Sequence, residues 1–357
     1  MKRFAVAVCA CISALAALTI AAPAGAAISP KLSVTPTTGA ANLILGGGST
    51  NPAEDAFHKV QIFVPTGVGL KAPAAGASVG TAKGHALVRD VDPTQEQNFT
   101  GKITATSVTD PQFAWEQQNC NPTTHAGVWA LQVVTNDASP FNVPIFVDRT
   151  TGAEAAFGPY KLVICLRPPI VDNSNQQQLA IRSPMGTKID NFTLTLNGFT
   201  NPTKAGTYKW RSLWTPYAAN QITPNAAGNV EAQSTVQVPA ASLALSAKTK
   251  QVGKRTVVVL SGKLLVGGEG AADYRIGFSH GAKKTGLSRF GSAPTSRTGA
   301  FAITSRLTKP TYFQAGVTIP AQELGPQGCT ASFGASVPCV NANLSGARVL
   351  SPFLFAR

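Results

Sequence analysis

Charge is scarce in this chain of 357 residues, and acidic charge is scarcest: 30 Lys and Arg face 16 Asp and Glu, and only 13% of residues are charged. Long apolar runs are also missing after Ala26, where nothing approaches the roughly 18 residues of a membrane span. Histidine occurs only at 58, 85, 125 and 280, with no His-Glu-x-x-His zinc helix, and neither a phosphate loop nor a dinucleotide fingerprint appears. No metal or cofactor site and no catalytic residue are therefore assigned. Helical signals are few. The best is Asn51-Pro52-Ala53-Glu54, a cap, a first-turn Pro and a first-turn Glu that can support one or two turns before Phe57.

What is present begins with an export signal. Lys2 and Arg3 precede an apolar run from Phe4 to Ala22, Pro23 breaks it, and Ala24-Gly25-Ala26 offers a small-x-small cleavage pattern. Residues 1–26 are expected to be a cleaved signal peptide, with no membrane span after cleavage and a secreted or cell-surface destination. The ending Ser351–Arg357 has no apolar tail, so covalent anchoring is not expected. Oligomeric state is not legible.

Export also bears on the cysteines. Cleavage removes Cys9 and Cys11 and leaves Cys120, Cys165, Cys329 and Cys339, an even set that reads as two disulfides in an oxidising compartment. Three pairings are open; the local pairs Cys120–Cys165 and Cys329–Cys339 are preferred. A metal site using Cys120 and His125 is the rival reading, but too few ligands are visible.

A mature chain of this length exceeds one ordinary core. Gly and Pro are abundant (33 and 25), and hydrophobic residues make up 44%, which together suit a β-rich exported protein. Short alternating or apolar pieces lie between turn residues at 60–64, 86–91, 128–134, 143–147, 160–166, 192–196, 207–213 and 230–238. The same style continues at 243–247, 256–266, 274–279, 300–307, 312–319 and 348–355. The expected fold is all-β, with tandem sandwiches: a near-neutral region 27–238, divisible near 168, and a basic immunoglobulin-like region 239–357.

Two short segments carry a resemblance. Thr298-Gly299-Ala300-Phe301-Ala302-Ile303 resembles the turn and strand of bacterial immunoglobulin-like surface modules. Ala205-Gly206-Thr207-Tyr208-Lys209-Trp210 is similar to the start of a late sandwich strand, where the Tyr can form a tyrosine corner. The resemblance to secreted bacterial proteins with such modules implies architecture and no activity.

Two Gly-x-Ser-x-Gly segments invite a hydrolase reading. Ser279 is followed by no suitable acid and His, since only Glu323 and its neighbour His280 come later; a hairpin turn is the simpler reading. Ser78 follows a loop-like Lys71–Ala75, and a Gly/Ala-rich loop accounts for it. Asp90 and Asp92 are too few for a Ca²⁺ shell.

Binding signals are clearer. Residues 27–240 hold 14 basic against 13 acidic residues, whereas 241–357 hold 14 basic against Glu269, Asp273 and Glu323. The chain is a near-neutral body with a strongly basic end. Lys248, Lys250, Lys254 and Arg255 bracket a turn at Gly253, while Lys283, Lys284, Arg289 and Arg297 lie on later turns. These residues are expected to meet anionic cell-envelope polymers or lipid headgroups; nucleic acid is disfavoured by compartment and by the lack of a readout motif. The function expected is that of a non-enzymatic surface-associated protein with an N-terminal recognition or structural module. The alternative is a carbohydrate-binding or carbohydrate-active protein stacking sugars on Tyr208, Trp210 and Trp214, alternate residues about 7 Å apart on one strand face. That stripe would equally serve as core, and Trp129 sits in an apolar strand.

Overall fold

A computed structural model describes residues 28–36, 42–49, 51, 53–90, 93–135, 140–169, 181–202, 204–327 and 340–357. The signal segment, Asp92, the polar run 173–178, Cys329 and Cys339 lie outside the described residues. The structure is nearly all β, as expected, with one short α-helix among the described residues.

In chain order the first strands are β1 (Lys31–Pro36), β2 (Asn42–Gly48), β3 (Phe57–Val64) and β4 (Gly69–Leu70). They are followed by β5 (Ser78–Val88), β6 (Gln95–Thr106), β7 (Gly127–Val134), β8 (Phe141–Arg149) and β9 (Tyr160–Cys165). Next come β10 (Lys188–Asn197), β11 (Phe199–Thr200), β12 (Gly206–Pro216) and β13 (Val230–Val238). In place of the two packed sheets expected over 27–238, they form one barrel-like sheet in the order β1-β2-β10-β5-β6-β7-β8-β9-β3-β12-β13, with β4 and β11 paired separately. The sheet curls until β1 lies against β13, where the Val34 amide donates to Ser234 Oγ at 3.0 Å.

Alternation explains why the sheet closes. Each strand sends every second side chain inward, and those inner residues form a single core that includes Leu32, Val34, Val60, Ile62, Ile145, Leu194 and Trp214. Gly47 on β2 makes room for one of them: a Cβ there would stand 2.9 Å from the Trp214 ring. A second, smaller cluster sits on the outside of β7–β9, where helix α1 (Ala114–Asn119) and Phe113 cover Val128, Phe146 and Val163. Asp110 caps the turn that leads into α1, accepting from the Gln112 amide, with Pro111 in the first position. The helix expected after Asn51 is only a turn, in which Asn51 Oδ1 accepts from the Ala53 amide.

The remaining strands are β14 (Ala241–Val252), β15 (Arg255–Val266), β16 (Glu269–Gly270), β17 (Arg275–Gly281), β18 (Ser288–Pro294) and β19 (Ala300–Arg306). They continue as β20 (Thr311–Ile319), β21 (Gln322–Gln327), β22 (Val340–Leu344), β23 (Ala347–Leu350) and β24 (Leu354–Ala356). One sheet holds β14, β15, β16 and β19; the other holds β18, β17, β20, β23 and β24. The two share a core of their own, built from Leu243, Val258, Leu260 and Phe301 on one side and Ile276, Phe278, Phe313 and Val317 on the other. β21 and β22 leave this pair: β22 runs parallel to β13 and extends the first sheet.

Candidate functional site

The basic residues acquire their geometry from the β14–β15 hairpin. Gly253, at φ 60°, provides the left-handed residue of the turn, and Val252 faces Arg255 across it. Lys248 pairs with Val259 and Lys250 with Val257, which in turn faces Arg306 on β19. Because Leu243, Leu260 and Phe301 point into the core, strand alternation sends Lys248, Lys250, Arg255, Lys263 and Arg306 to the opposite, outer face. All five are exposed, and Lys254 caps the tip of the hairpin. No ion pair among the described residues engages any of them.

The other expected basic residues fall elsewhere. Lys283 and Lys284 lie in the exposed loop after β17, on the second sheet. Lys284 Nζ stands 5.9 Å from the ring centres of both Tyr312 and Phe353. Arg289 is on β18, and Arg297 is exposed in the turn before β19. Lys263 and Arg306 had not been singled out from sequence, since each is isolated in the chain and joins the cluster only through strand pairing.

The aromatic stripe is core. Trp210 and Trp214 are 1% and 0% exposed, and Trp214 Nε1 donates to Ser212 Oγ at 2.7 Å inside the barrel-like sheet. Sugar stacking would need an open ring face, and neither indole has one, so these two residues form no glycan platform. Trp129 is buried likewise. Tyr208 is half-buried, and its hydroxyl donates to the Lys204 carbonyl four residues upstream at 3.0 Å, the tyrosine-corner contact anticipated from sequence.

Cys120 and Cys165 are joined, with Cα atoms 6.1 Å apart, as expected. The bond ties the end of α1 to β9. His125 is bound to Asp148 at 2.7 Å, and Asn121 donates to the same carboxylate; with the Cys120 sulfur in the disulfide, the Cys–His metal pairing does not form. Ser279 lies within strand β17, opposite Arg289 and Gln314, and not in a hairpin turn. Ser78 opens β5 directly after a turn at Gly76. Neither serine sits on a strand-to-helix elbow. Asp90 is paired with Arg182.

Sequence reasoning missed a cavity of about 220 Å³ at one end of the barrel-like sheet, where β3, β8 and β10 begin and β9 ends. Phe57, Val143, Leu166 and Ile189 give it an apolar floor, and α1 contributes Phe113 and Glu116. Arg167 Nε donates to the buried Glu116 carboxylate at 2.6 Å, and Lys188 Nζ lies 3.1 Å from Asp190 Oδ1. No local motif marks these residues, because the Glu116–Arg167 partners stand 51 residues apart.

Below the cavity, burial governs titration. Tyr217 donates to the Leu166 carbonyl at 2.7 Å, and His58 Nδ1–H donates to the Tyr217 hydroxyl at 3.1 Å. Burial, with the neighbouring Lys59 charge adding, pulls His58 down to about 4, while burial raises Tyr217. Burial, followed by the Lys161 charge, also lowers Lys59.

Fold and site thus define an all-β protein with a barrel-like sheet, a second core and one strongly basic sheet face. No protein-family model matches the chain, and no curated protein matches it. Among solved structures it is aligned with dimeric latent PorU from Porphyromonas gingivalis at 10% identity and a TM-score of 0.16, over 91% of this chain and 34% of that one. The chain spans about a third of the length of PorU, and a likeness this slight assigns neither fold nor function.

Proposed function

We propose that this is an exported, non-enzymatic protein that binds anionic cell-envelope polymers through the outer face of β14, β15 and β19. In this reading residues 1–26 direct export, 239–357 form a basic immunoglobulin-like module, and 27–238 form a recognition or structural module. The observation that carries it is the unbalanced face itself. Lys248, Lys250, Arg255, Lys263 and Arg306 are exposed together on one sheet, without acidic partners among the described residues. A polymer with a repeating negative charge can contact several such cations at once, whereas a compact ligand would need a pocket.

The division into modules is supported by the two separate cores. The immunoglobulin-like assignment is supported by strand order. Among the main strands β14, β15, β17, β18, β19, β20 and β23, the first, second and fifth share one sheet, and the third, sixth and seventh share the other.

The test uses the full chain, because β22 belongs to the first sheet and a cut near Pro239 would strip it away. Retention on isolated envelopes is measured across a salt series for the parent and for the quadruple variant Lys248→Ser, Lys250→Ser, Lys254→Ser, Arg255→Ser. Parent retention should fall steeply with salt, and the variant should bind about tenfold or more weakly at low salt. Equal retention of the two proteins rejects the proposal. Retention on anionic-lipid vesicles, with none on lipid-free wall polymer, would reassign the partner to headgroups.

A further inference from the structure

On the far side of the second core from the basic hairpin, the outer face of β17, β18, β20, β23 and β24 has a character of its own. Phe313, Ala315 and Val317 point inward, so alternation turns Tyr312, Gln314 and Gly316 of β20 outward. Phe355 pairs with Tyr312, their ring centres 4.9 Å apart, and Leu350 pairs with Gly316. Leu350 lies across that glycine, since a Cβ there would stand 2.8 Å from its Cδ2 atom. Phe353 joins them through Lys284, whose Nζ is 5.9 Å from the ring centres of both Tyr312 and Phe353. The segment between β23 and β24 is pinned in place. Ser351 Oγ accepts from the Ala315 amide, and the Ser351 amide donates to the Ala315 carbonyl, both at 2.9 Å.

Six large hydrophobic side chains stand exposed among the described residues, and three of them are Leu350 (47%), Phe353 (41%) and Phe355 (50%). Scattered single exposures need no explanation, but a cluster with a polar rim marks an interaction site. Here the rim is cationic. Lys283 and Lys284 share one exposed loop, Arg348 is exposed on β23, and the Arg289 guanidinium lies over Gly277 on the same face. No Asp or Glu occurs from Tyr274 to Gln322 or after Glu323. A second copy of the chain would therefore set cation against cation, and a protein partner would need recesses to receive the projecting rings. A membrane surface needs none. Its headgroup layer yields to aromatic and aliphatic side chains while its phosphates meet the surrounding cations.

We propose that this face docks on anionic lipid, with Leu350, Phe353 and Phe355 entering the headgroup layer and Lys284, Arg289 and Arg348 meeting lipid phosphates. The contact is peripheral, and it does not depend on what the opposite face of the module binds.

The experiment measures cosedimentation of the full chain with vesicles of phosphatidylcholine, alone or with about one-third phosphatidylglycerol, at physiological salt. The parent should favour the anionic vesicles by about tenfold or more. Phe353→Ser with Phe355→Ser should weaken that binding by about tenfold or more, and should abolish the pressure rise that the parent produces beneath an anionic lipid monolayer. Should the double variant lose native circular dichroism, Phe353→Ser alone decides, with a loss of about threefold or more. The quadruple hairpin variant should bind vesicles within about twofold of the parent, because its cations point away from this face and charges are screened beyond about 8 Å. Absence of anionic-vesicle binding by the parent overturns the proposal, as does an aromatic variant that binds like the parent. Binding to polyglutamate that needs Phe353 and Phe355, without vesicle binding, overturns it by giving the face to an acidic protein. Vesicle binding lost in the hairpin variant and kept in the aromatic one assigns lipid to the opposite face and overturns this proposal alone.

Discussion

The first sheet and the basic end use charge in opposite ways. Across residues 28–238 every described acid has a partner: Glu116 with Arg167, Asp148 with His125, Glu154 with Lys161, Asp190 with Lys188 and His85, Glu231 with Arg211, Asp90 with Arg182 and Glu96 with His85. Glu54, Asp55 and Asp110 accept hydrogen bonds from Ser29, Gln221 and Thr106. Several of these groups are buried, where an unpaired charge would be expensive. From 241 onward the cations stand on strand faces and turns, exposed and without ion pairs among the described residues. Charge in the first region holds parts of the fold together; charge in the second is offered to the surroundings. Net charge alone cannot separate the two uses, because it does not say which groups are neutralised internally.

All four tryptophans lie in the first region, at 129, 210 and 214 in its core and at 115 half-buried on α1, so their fluorescence follows that region alone during denaturation. The largest effect is expected from Cys120→Ser with Cys165→Ser. The disulfide closes a loop of 45 residues, and its removal should cost about 4 kcal/mol on the chain-entropy model. A tryptophan-monitored midpoint unchanged by this pair of substitutions would mean that the outer α1 layer is not coupled to the barrel-like sheet. Next comes Asp190→Ala, which deprives the 3%-exposed Lys188 of its carboxylate. Breaking such a pair from one side should cost about 3 kcal/mol. A loss below about 0.5 kcal/mol, the size of an ordinary surface substitution, would break the contrast between the two regions at its strongest point.

Much of this organisation was legible, and the parts that were not share a cause. Alternating runs marked β3, β7, β8, β9, β12 and β13, and the turn at Gly253 marked the basic hairpin, because both signals are local. Strands β1, β2, β6 and β18 gave weak signals. β2 ends in three glycines that read as loop, yet Gly47 is the space into which Trp214 packs. β6 (Gln95–Thr106) is mostly polar, burying Phe99 and Ile103 among exposed neighbours. Asp110-Pro111, a cap followed by a first-turn Pro, announced only the 3-10 turn Pro111–Phe113 that leads into α1, and the six-residue helix itself has no side-chain cap that could be read from sequence. Sandwich and barrel demand the same local alternation. What separates them is closure, and here closure involves Val34 and Ser234, 200 residues apart. The cavity was hidden for the same reason, since its walls come from β3, α1, β8, β9 and β10.

Acid should sharpen the comparison further. His58 has a folded value of about 4, below its ordinary 6.5. Its neutral form is therefore favoured by folding, and the stability it contributes is complete above about pH 6.5 and lost as pH falls towards 4. The total is about 3 kcal/mol for a shift of this size. Tryptophan-monitored stability should decline over that window, and His58→Gln, which keeps a hydrogen-bond donor for Tyr217, should flatten the decline. A parent curve flat between pH 6.5 and 4 would show that His58 reaches solvent.

The smallest effect on stability belongs to the most basic residues. Lys248→Ser, Lys250→Ser, Lys254→Ser and Arg255→Ser remove exposed cations with no ion-pair partner among the described residues, so each should change stability by no more than about 0.5 kcal/mol. Relief of repulsion between Lys248 and Lys250, alternate residues on one strand, could make the combined change slightly favourable. The second core has no tryptophan, so its unfolding has to be followed by tyrosine fluorescence or calorimetry. Near-neutral stability joined to weakened envelope retention would separate binding from folding at these four positions. A quadruple variant destabilised by several kcal/mol would instead place the cations in the fold, and the distinction between internal and outward charge would fail at the face on which it rests.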